Sequence, residues 1–476
     1  MRPVVTQRID HDRSRRERWT LIATILGSSR AFIDSTVVNV AIPRLGQDLH
    51  AGAAGAQWTV GAYLLPLAAF VLVGGALGDR YGHRRMFLVG VSVFAAASLA
   101  CGAAQSMPQL LVSRGVQGAA AALFVPASLA LVGVTFHGAA RGKAIGTWSA
   151  FGSISSATGP LVGGWLVDQW SWRLAFFVGV PVAVATILIA LRHVPTSERR
   201  ANKHVDLAGA LAAIVALGSL TAALTLSDQS PLVLGVLVAT GLAAFVAFIV
   251  VERRAPDPMM PLDVWQSRLF TSINALTFVV YAALSIFMFV LPIRLMVGGG
   301  FSATAAAAAL LPSVAEIFLL SRWTGAWASR IGPRVPLLLG AALIASGFAI
   351  LGALGGDNYW HHFLPGLIVL GLGLSFTVSP LTTAVMAALD DERAGLASGI
   401  NNAVARTAGL VGVSIVGLIA GAHTQAQLAS AFPRIMFAAS ALAIAGAAVA
   451  ALFVSGRAAA NLNVASTRAR ARPGAR

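Results

Sequence analysis

Cysteine is almost missing: Cys101 is the only one in 476 residues. A disulfide framework within the chain and a cysteine metal cluster are therefore excluded. Charge is scarce as well. Asp, Glu, Lys and Arg make up 11% of the chain, against roughly 25% in soluble globular domains. Acids are the rarer sign, 18 against 34 Lys and Arg. No GxxxxGK[ST] loop, HExxH helix or GxSxG elbow occurs, so ATP-driven work, zinc hydrolysis and serine hydrolysis lack their residues. No stretch between apolar runs is long enough for a separate soluble domain.

Hydrophobic residues, 57% of the chain, fill what is left. They fall in runs of roughly 20, the length that crosses a hydrocarbon core of about 30 Å. The first run is too long for a cleaved signal and lacks a small-residue cleavage site. We read fourteen spans, and hence an all-α integral membrane protein. With the N-terminus inside, cytoplasmic segments hold 27 Lys and Arg, external loops 3 (Arg44, Arg173, Arg434) and spans 4. That asymmetry sets both termini in the cytoplasm. It also accounts for the net charge of +16 without nucleic acid, the Arg-rich ends lying near anionic headgroups or in water.

Two cytoplasmic loops resemble each other. Gly75–Arg84 reads "GALGDRYGHR" and Gly325–Arg334 reads "GAWASRIGPR", each after the second span of a six-span group. Parallel repeats of this kind build transporters whose cargo binds between two halves. The expected organisation is a cytoplasmic tail at 1–18, a six-helix bundle at 19–191 and a linker at 192–206. Two added helices at 207–251 and a second linker at 252–268 lead to a six-helix bundle at 269–454 and a basic tail at 455–476. The bundles are spans 1–6 and 9–14.

Only two acids, Asp34 and Glu316, fall well inside spans, and none of the nine histidines does. Four arginines join them: Arg30, Arg114, Arg294 and Arg406. Ionisable groups in lipid are costly, on the order of 2.5–3.5 kcal/mol each, so they tend to line cavities and serve function. Arg30 and Asp34 stand one helical turn apart, the spacing of a mutually neutralising pair. A fixed arginine makes a carboxylate harder to protonate. Either Arg30 swings away from Asp34 in one conformation, or Asp34 stays ionised and Glu316 carries the proton. Arg114 either serves the cavity or reaches the interface. Asn39, Asn401 and Asn402 are candidate cavity polar groups, with interhelical bonding as the alternative. In the fifth span, Pro160 should bend the helix, and Ser155, Gly159 and Gly163 form a small-residue face.

These pieces together resemble the major facilitator superfamily, in its fourteen-span drug:proton antiporter branch. "GALGDRYGHRR" resembles that family's loop signature, "LVSRGVQGAAAA" its fourth-span signature and "SATGPLVGGWL" its fifth-span antiporter signature. "FIDSTVVNVAIP", "SWRLAFFVGVP" and "DDERAGLASGINNAVARTAGL" are similar to patterns of the same branch. The resemblance implies proton coupling through Asp34 and Arg114. It implies a conformational gate at Gly75, Asp79, Arg80, Gly82 and Arg84, and an antiporter hinge at Ser155, Gly159, Pro160, Gly163 and Gly164. His83, where a basic residue is usual, should change little. Arg30, Arg294 and Glu316 depart from the family pattern, and the two extra arginines open the way to anionic or zwitterionic cargo.

The leading expectation is export of small amphipathic compounds in exchange for protons by alternating access, in a bacterial inner membrane. Export of one dedicated metabolite is the second reading, and a membrane-embedded enzyme the rival from another class. No cofactor or metal is expected. The partners are cargo, protons and the bilayer, with the chain a monomer. Periplasmic or outer-membrane components would join it in a host with an outer membrane.

Overall fold

A computed structural model of the chain describes residues 2–196, 206–226, 229–256, 258–390 and 393–454. The expected tail at 455–476 and most of the 192–206 linker lie outside them. All regular structure among the described residues is helical, as a backbone in lipid must satisfy its own hydrogen bonds.

Among the described residues, thirteen helices are long and apolar enough to cross a membrane. The sequence led us to fourteen, and the difference is one helix, α5 (Gly138–Gln169). It has the length, 32 residues, but its centre reads "WSAFGSISSATGPLVGGW", too rich in glycine and serine to count as apolar. It continues as one helix through Pro160. A second difference concerns the sixth span, which breaks at Val178 into α6 (Trp172–Phe177) and α7 (Gly179–His193).

The chain forms two compact units. The first comprises Met1–Pro261, Pro292–Ala308 and Val413–Leu428. Its helices include α1 (Arg2–Asp48), α2 (Ala53–Tyr81), α3 (His83–Ala103), α4 (Met107–Thr135), α8 (Leu207–Thr225) and α9 (Pro231–Arg254). Helix α4 packs on both α2 and α3, and α1 packs on α5. The rings of Phe87 and Phe94 meet Phe124 edge-on, with centroids 6.4 and 5.4 Å away.

Two outlying segments belong to this unit because specific bonds hold them. After α10 (Arg268–Ile293), Pro292 removes a backbone donor and a π-helical turn, Arg294–Gly298, follows. The next helix, α11 (Ala303–Ala308), starts on the Asp168 carboxylate at the end of α5. That carboxylate accepts from the amides of Ala303 (2.9 Å) and Thr304 (2.7 Å) and from the Thr304 hydroxyl (2.6 Å). At the other segment, the Gln57 amide donates to the carbonyls of Val413 and Ser414 at 2.8 and 3.0 Å.

The second unit comprises Leu262–Leu291, Ala309–Gly412 and Ala429–Arg476. It contains α12 (Leu311–Ile331), α13 (Arg334–Ala353), α14 (Leu364–Met386), most of α15 (Ala394–Ala420) and α17 (Phe432–Phe453). Hydroxyls stitch its helices: Ser313 donates to the Leu367 carbonyl and Thr324 to that of Ser375, both at 2.7 Å. On its surface Arg393 donates to Asp263 at 2.6 Å, and that bond holds the Asp263 carboxyl below the usual range.

Candidate functional site

The first unit holds a buried ionic cluster. Asp34, on α1, has no exposed surface, and Arg114, on α4, is 1% exposed. One Nη1 of Arg114 donates to Asp34 Oδ2 and also, at 2.9 Å, to Gln117 Oε1. Gln117 Nε2 reaches the other carboxylate oxygen at 3.3 Å and Ser98 Oγ at 2.8 Å. Arg114 Nε donates to the Thr59 carbonyl at 3.2 Å, and the guanidinium lies over the Tyr63 ring, 4.4 Å from its centroid. The spacing of Arg114 and Gln117, three apart on one helical face, is what lets both address the same carboxylate.

Arg30 enters the same cluster from α1. Its Nη2 stands 3.6 Å from Asp34 Oδ1 and donates to the Phe176 carbonyl at 3.0 Å. Gly179 makes room for it: a Cβ there would overlap the guanidinium. Arg30 is thus 5% exposed, seated in a buried network rather than along a cavity wall. Two guanidiniums face one carboxylate, leaving one net positive charge. Protonating Asp34 in this arrangement would break its ion pair and leave both arginines uncompensated.

Glu316 has other surroundings. It lies on α12 against α14, where glycine at 371 leaves space that a Cβ would take from the carboxyl. Its Oε2 is buried without a hydrogen-bond partner, and among the described residues no cation pairs with it. On α15, Asn401 donates to Asn274 Oδ1 (3.1 Å) and Thr277 Oγ1 (2.8 Å) of α10. Arg406 Nε donates to Asn402 Oδ1 at 3.3 Å. In the first unit, Asn39 Oδ1 is buried and unpartnered, and the Arg294 guanidinium folds over Gly298.

The expected gate is a tight turn. Gly82 adopts φ +95°, the left-handed region that favours glycine, and separates α2 from α3. Beside it, His83 places its Nε2 3.2 Å from the Asp79 carboxylate. Arg84 donates to the carbonyls of Ala190 (3.3 Å) and Leu191 (2.6 Å) at the end of α7. Arg80 stacks on Tyr81, and Gly75 has open space beside it. A cavity of about 280 Å³ opens beside Tyr81, Arg84, Arg85 and Leu88. Of the hinge residues, Gly159 faces Ile33 and Thr36, and Gly163 faces Val37, so these glycines set the α1–α5 approach. Gly164 meets the backbone at Ala303, and Ser155 is buried.

Reading the sequence missed three polar groups. Asp168 is not among the two acids that read as lying well inside spans. Burial disfavours its charge, but the Thr304 hydroxyl and the Thr304 and Ala303 amides outweigh this and hold the carboxyl below its ordinary range. Glu252, 3% exposed at the end of α9, accepts from the Met260 amide at 3.0 Å. Gln117, three positions on from Arg114, carries no charge to mark it in the sequence.

A sequence profile described as the Major Facilitator Superfamily matches residues 24–413. The chain belongs to that superfamily. It is a multi-pass membrane protein of a transporter family, with bacterial relatives. It is 35% identical over 429 residues to the multidrug resistance protein Stp of Mycobacterium tuberculosis (strain CDC 1551 / Oshkosh), covering 87% of this chain and 78% of that one. It is 33% identical over 405 residues to the tetracenomycin C resistance and export protein of Streptomyces glaucescens, covering 84% and 75% respectively. The fold is similar to a bacterial homologue of the human lysosomal transporter Spinster, solved inward-facing and unoccupied. The TM-score is 0.65 at 17% identity, over 94% of this chain and 98% of the other.

Proposed function

We propose that this superfamily member is a proton-coupled exporter of small amphipathic, drug-like compounds, working by alternating access. The observation that carries the reading is the buried Asp34–Arg114–Gln117 set, a charged network costly to keep in a membrane helix bundle. The relatives named for drug resistance and export support the cargo class. The membrane is the bacterial cytoplasmic one, with both termini inside and α5 as the fourteenth crossing. Asp79, Arg80, Gly82 and Arg84 act as the cytoplasmic gate with Gly75, and Gly159, Pro160, Gly163 and Gly164 as the antiporter hinge with Ser155. The chain acts as a monomer.

In this reading Asp34 and Arg114 form the switchable ion pair of coupling, while Glu316 is a carboxyl that can gain or lose a proton without breaking one. Asn39, Arg294, Asn402 and Arg406 are the polar groups offered to cargo, while Arg30 and Asn401 spend their donors within the protein. The test is accumulation of cationic, anionic and neutral dyes in pump-deficient bacteria expressing the wild type or Asp34→Asn at matched levels. Lower accumulation that both an uncoupler and Asp34→Asn abolish supports proton-driven export. Equal accumulation across the panel rejects a broad drug pump and turns the reading to one dedicated metabolite.

A further inference from the structure

Within the second unit, α10 and α15 share a polar face. Asn274, Thr277 and Tyr281 recur at three and four residues along α10, the spacing of one helical stripe. Asn401 spends its amide on Asn274 and Thr277, Asn274 donates to the Phe270 carbonyl at 2.9 Å, and Thr277 to that of Ile273 at 2.9 Å. That part of the face is closed on itself.

Arg406 is not. A guanidinium carries five N–H donors. Among the described residues it makes one hydrogen bond, from Nε to Asn402, and no ion pair. Its side chain is half-buried, so the remaining donors are neither sealed in protein nor fully in bulk water. Arg406 stands about 18 Å along α15 from Ala394, at the helical rise of 1.5 Å per residue. In the first unit, by contrast, Arg114 and Arg30 share a carboxylate.

We propose that Arg406, with Asn402, forms a subsite for an anionic group, a carboxylate or its monoanionic equivalent, on the transported compound. The open end of the guanidinium offers the paired N–H donors that a carboxylate accepts side by side. Asn402 fixes the Nε edge, which leaves the terminal nitrogens to the ligand. This deepens the export reading and rests on it for the cargo, but binding can be measured without export.

The experiment uses the purified full chain in detergent and two probes with one fluorophore, a carboxylate-bearing rhodamine and its ethyl ester. Fluorescence polarisation gives Kd for each with the wild type, Arg406→Gln and Arg406→Lys. The expected result is tighter wild-type binding of the acid, weakened about tenfold or more in Arg406→Gln, with the ester unchanged. Arg406→Lys should recover part of the loss. Equal weakening of both probes would give Arg406 a structural role and overturn the subsite, as would equal wild-type affinity for acid and ester or binding of neither. Uncoupler-sensitive efflux of the ester, run in parallel, separates the two readings. If it persists while acid preference is missing, export stands and the anionic subsite falls.

Discussion

Asp34 and Glu316 are both carboxylates inside membrane helices, and their surroundings differ in kind. Asp34 meets two guanidiniums and an amide, all buried, so each of its oxygens is spoken for. Glu316 sits in a slot left by Gly371, with one buried oxygen that nothing in its unit bonds. Changing the charge of the first breaks a network. Changing that of the second breaks no ion pair. A coupled carrier needs both behaviours: a contact that breaks as the conformation changes, and a group that titrates without unfolding its surroundings.

The harshest way to break the comparison is Asp34→Asn, which keeps the shape and removes the anion. Two buried arginines are then left without a counter-charge, and breaking a buried pair costs about 3–5 kcal/mol. The expected outcome is loss of uncoupler-sensitive efflux and a lower Tm in detergent. Wild-type efflux and Tm in this variant would show that the cluster is neither coupled nor structural. Glu316→Gln comes next and should act oppositely. Glutamine imitates the neutral acid and breaks no ion pair, so the Tm should fall less than in Asp34→Asn. Efflux should instead lose its dependence on external pH. A Glu316→Gln protein whose pH profile matches the wild type would remove Glu316 from proton transfer.

The two carboxylates were legible in the sequence because an acid in a run of Leu, Val and Ala has no solvated excuse. Their partners were legible in part. Arg30 lies one turn before Asp34, so that pair could be read by spacing. The bond to Arg114 joins α1 to α4 across 80 positions, and no local pattern reports it. Asp168 and Glu252 escaped because each stands at a helix end, where an acid looks solvated until the docking partner is known. For Asp168 that partner is the start of α11, 135 positions on. The fifth helix erred in the other direction. Its signature marked it as a span, although the glycines and serines that let it lie against α1 make it too polar to qualify by hydropathy.

A smaller effect tests how Arg30 is held. Arg30→Met removes the charged donor to the Phe176 and Ala175 carbonyls, a loss of about 1–3 kcal/mol that relief of the excess positive charge partly offsets. Gly179→Ala should give a loss of similar size by pushing the guanidinium off the same carbonyls. Because both act on one contact, the double variant should be less destabilised than the sum of the singles. Additive Tm shifts would mean that Gly179 does something other than seat Arg30. The Arg30→Met protein should also shift its dye preference by charge; an unchanged dye range would confine Arg30 to structure.

The mildest test lies at Asp168, far from both carboxylates in role. Asp168→Asn keeps one acceptor oxygen but loses the charge that favours the amides and hydroxyl at the start of α11, worth about 1 kcal/mol by analogy with helix caps. Its folded carboxyl lies below the ordinary aspartate value of about 3.9. The contribution is therefore fully present above that value and is lost as pH falls through the lower, folded one. Thermal unfolding of wild type and variant from pH 7 downwards should show a Tm gap that holds to about pH 4 and closes below it. A gap that is constant into strong acid would assign the difference to packing, and the absence of one at pH 7 would mean that the Asp168 contact does not anchor Pro292–Ala308 to the first unit.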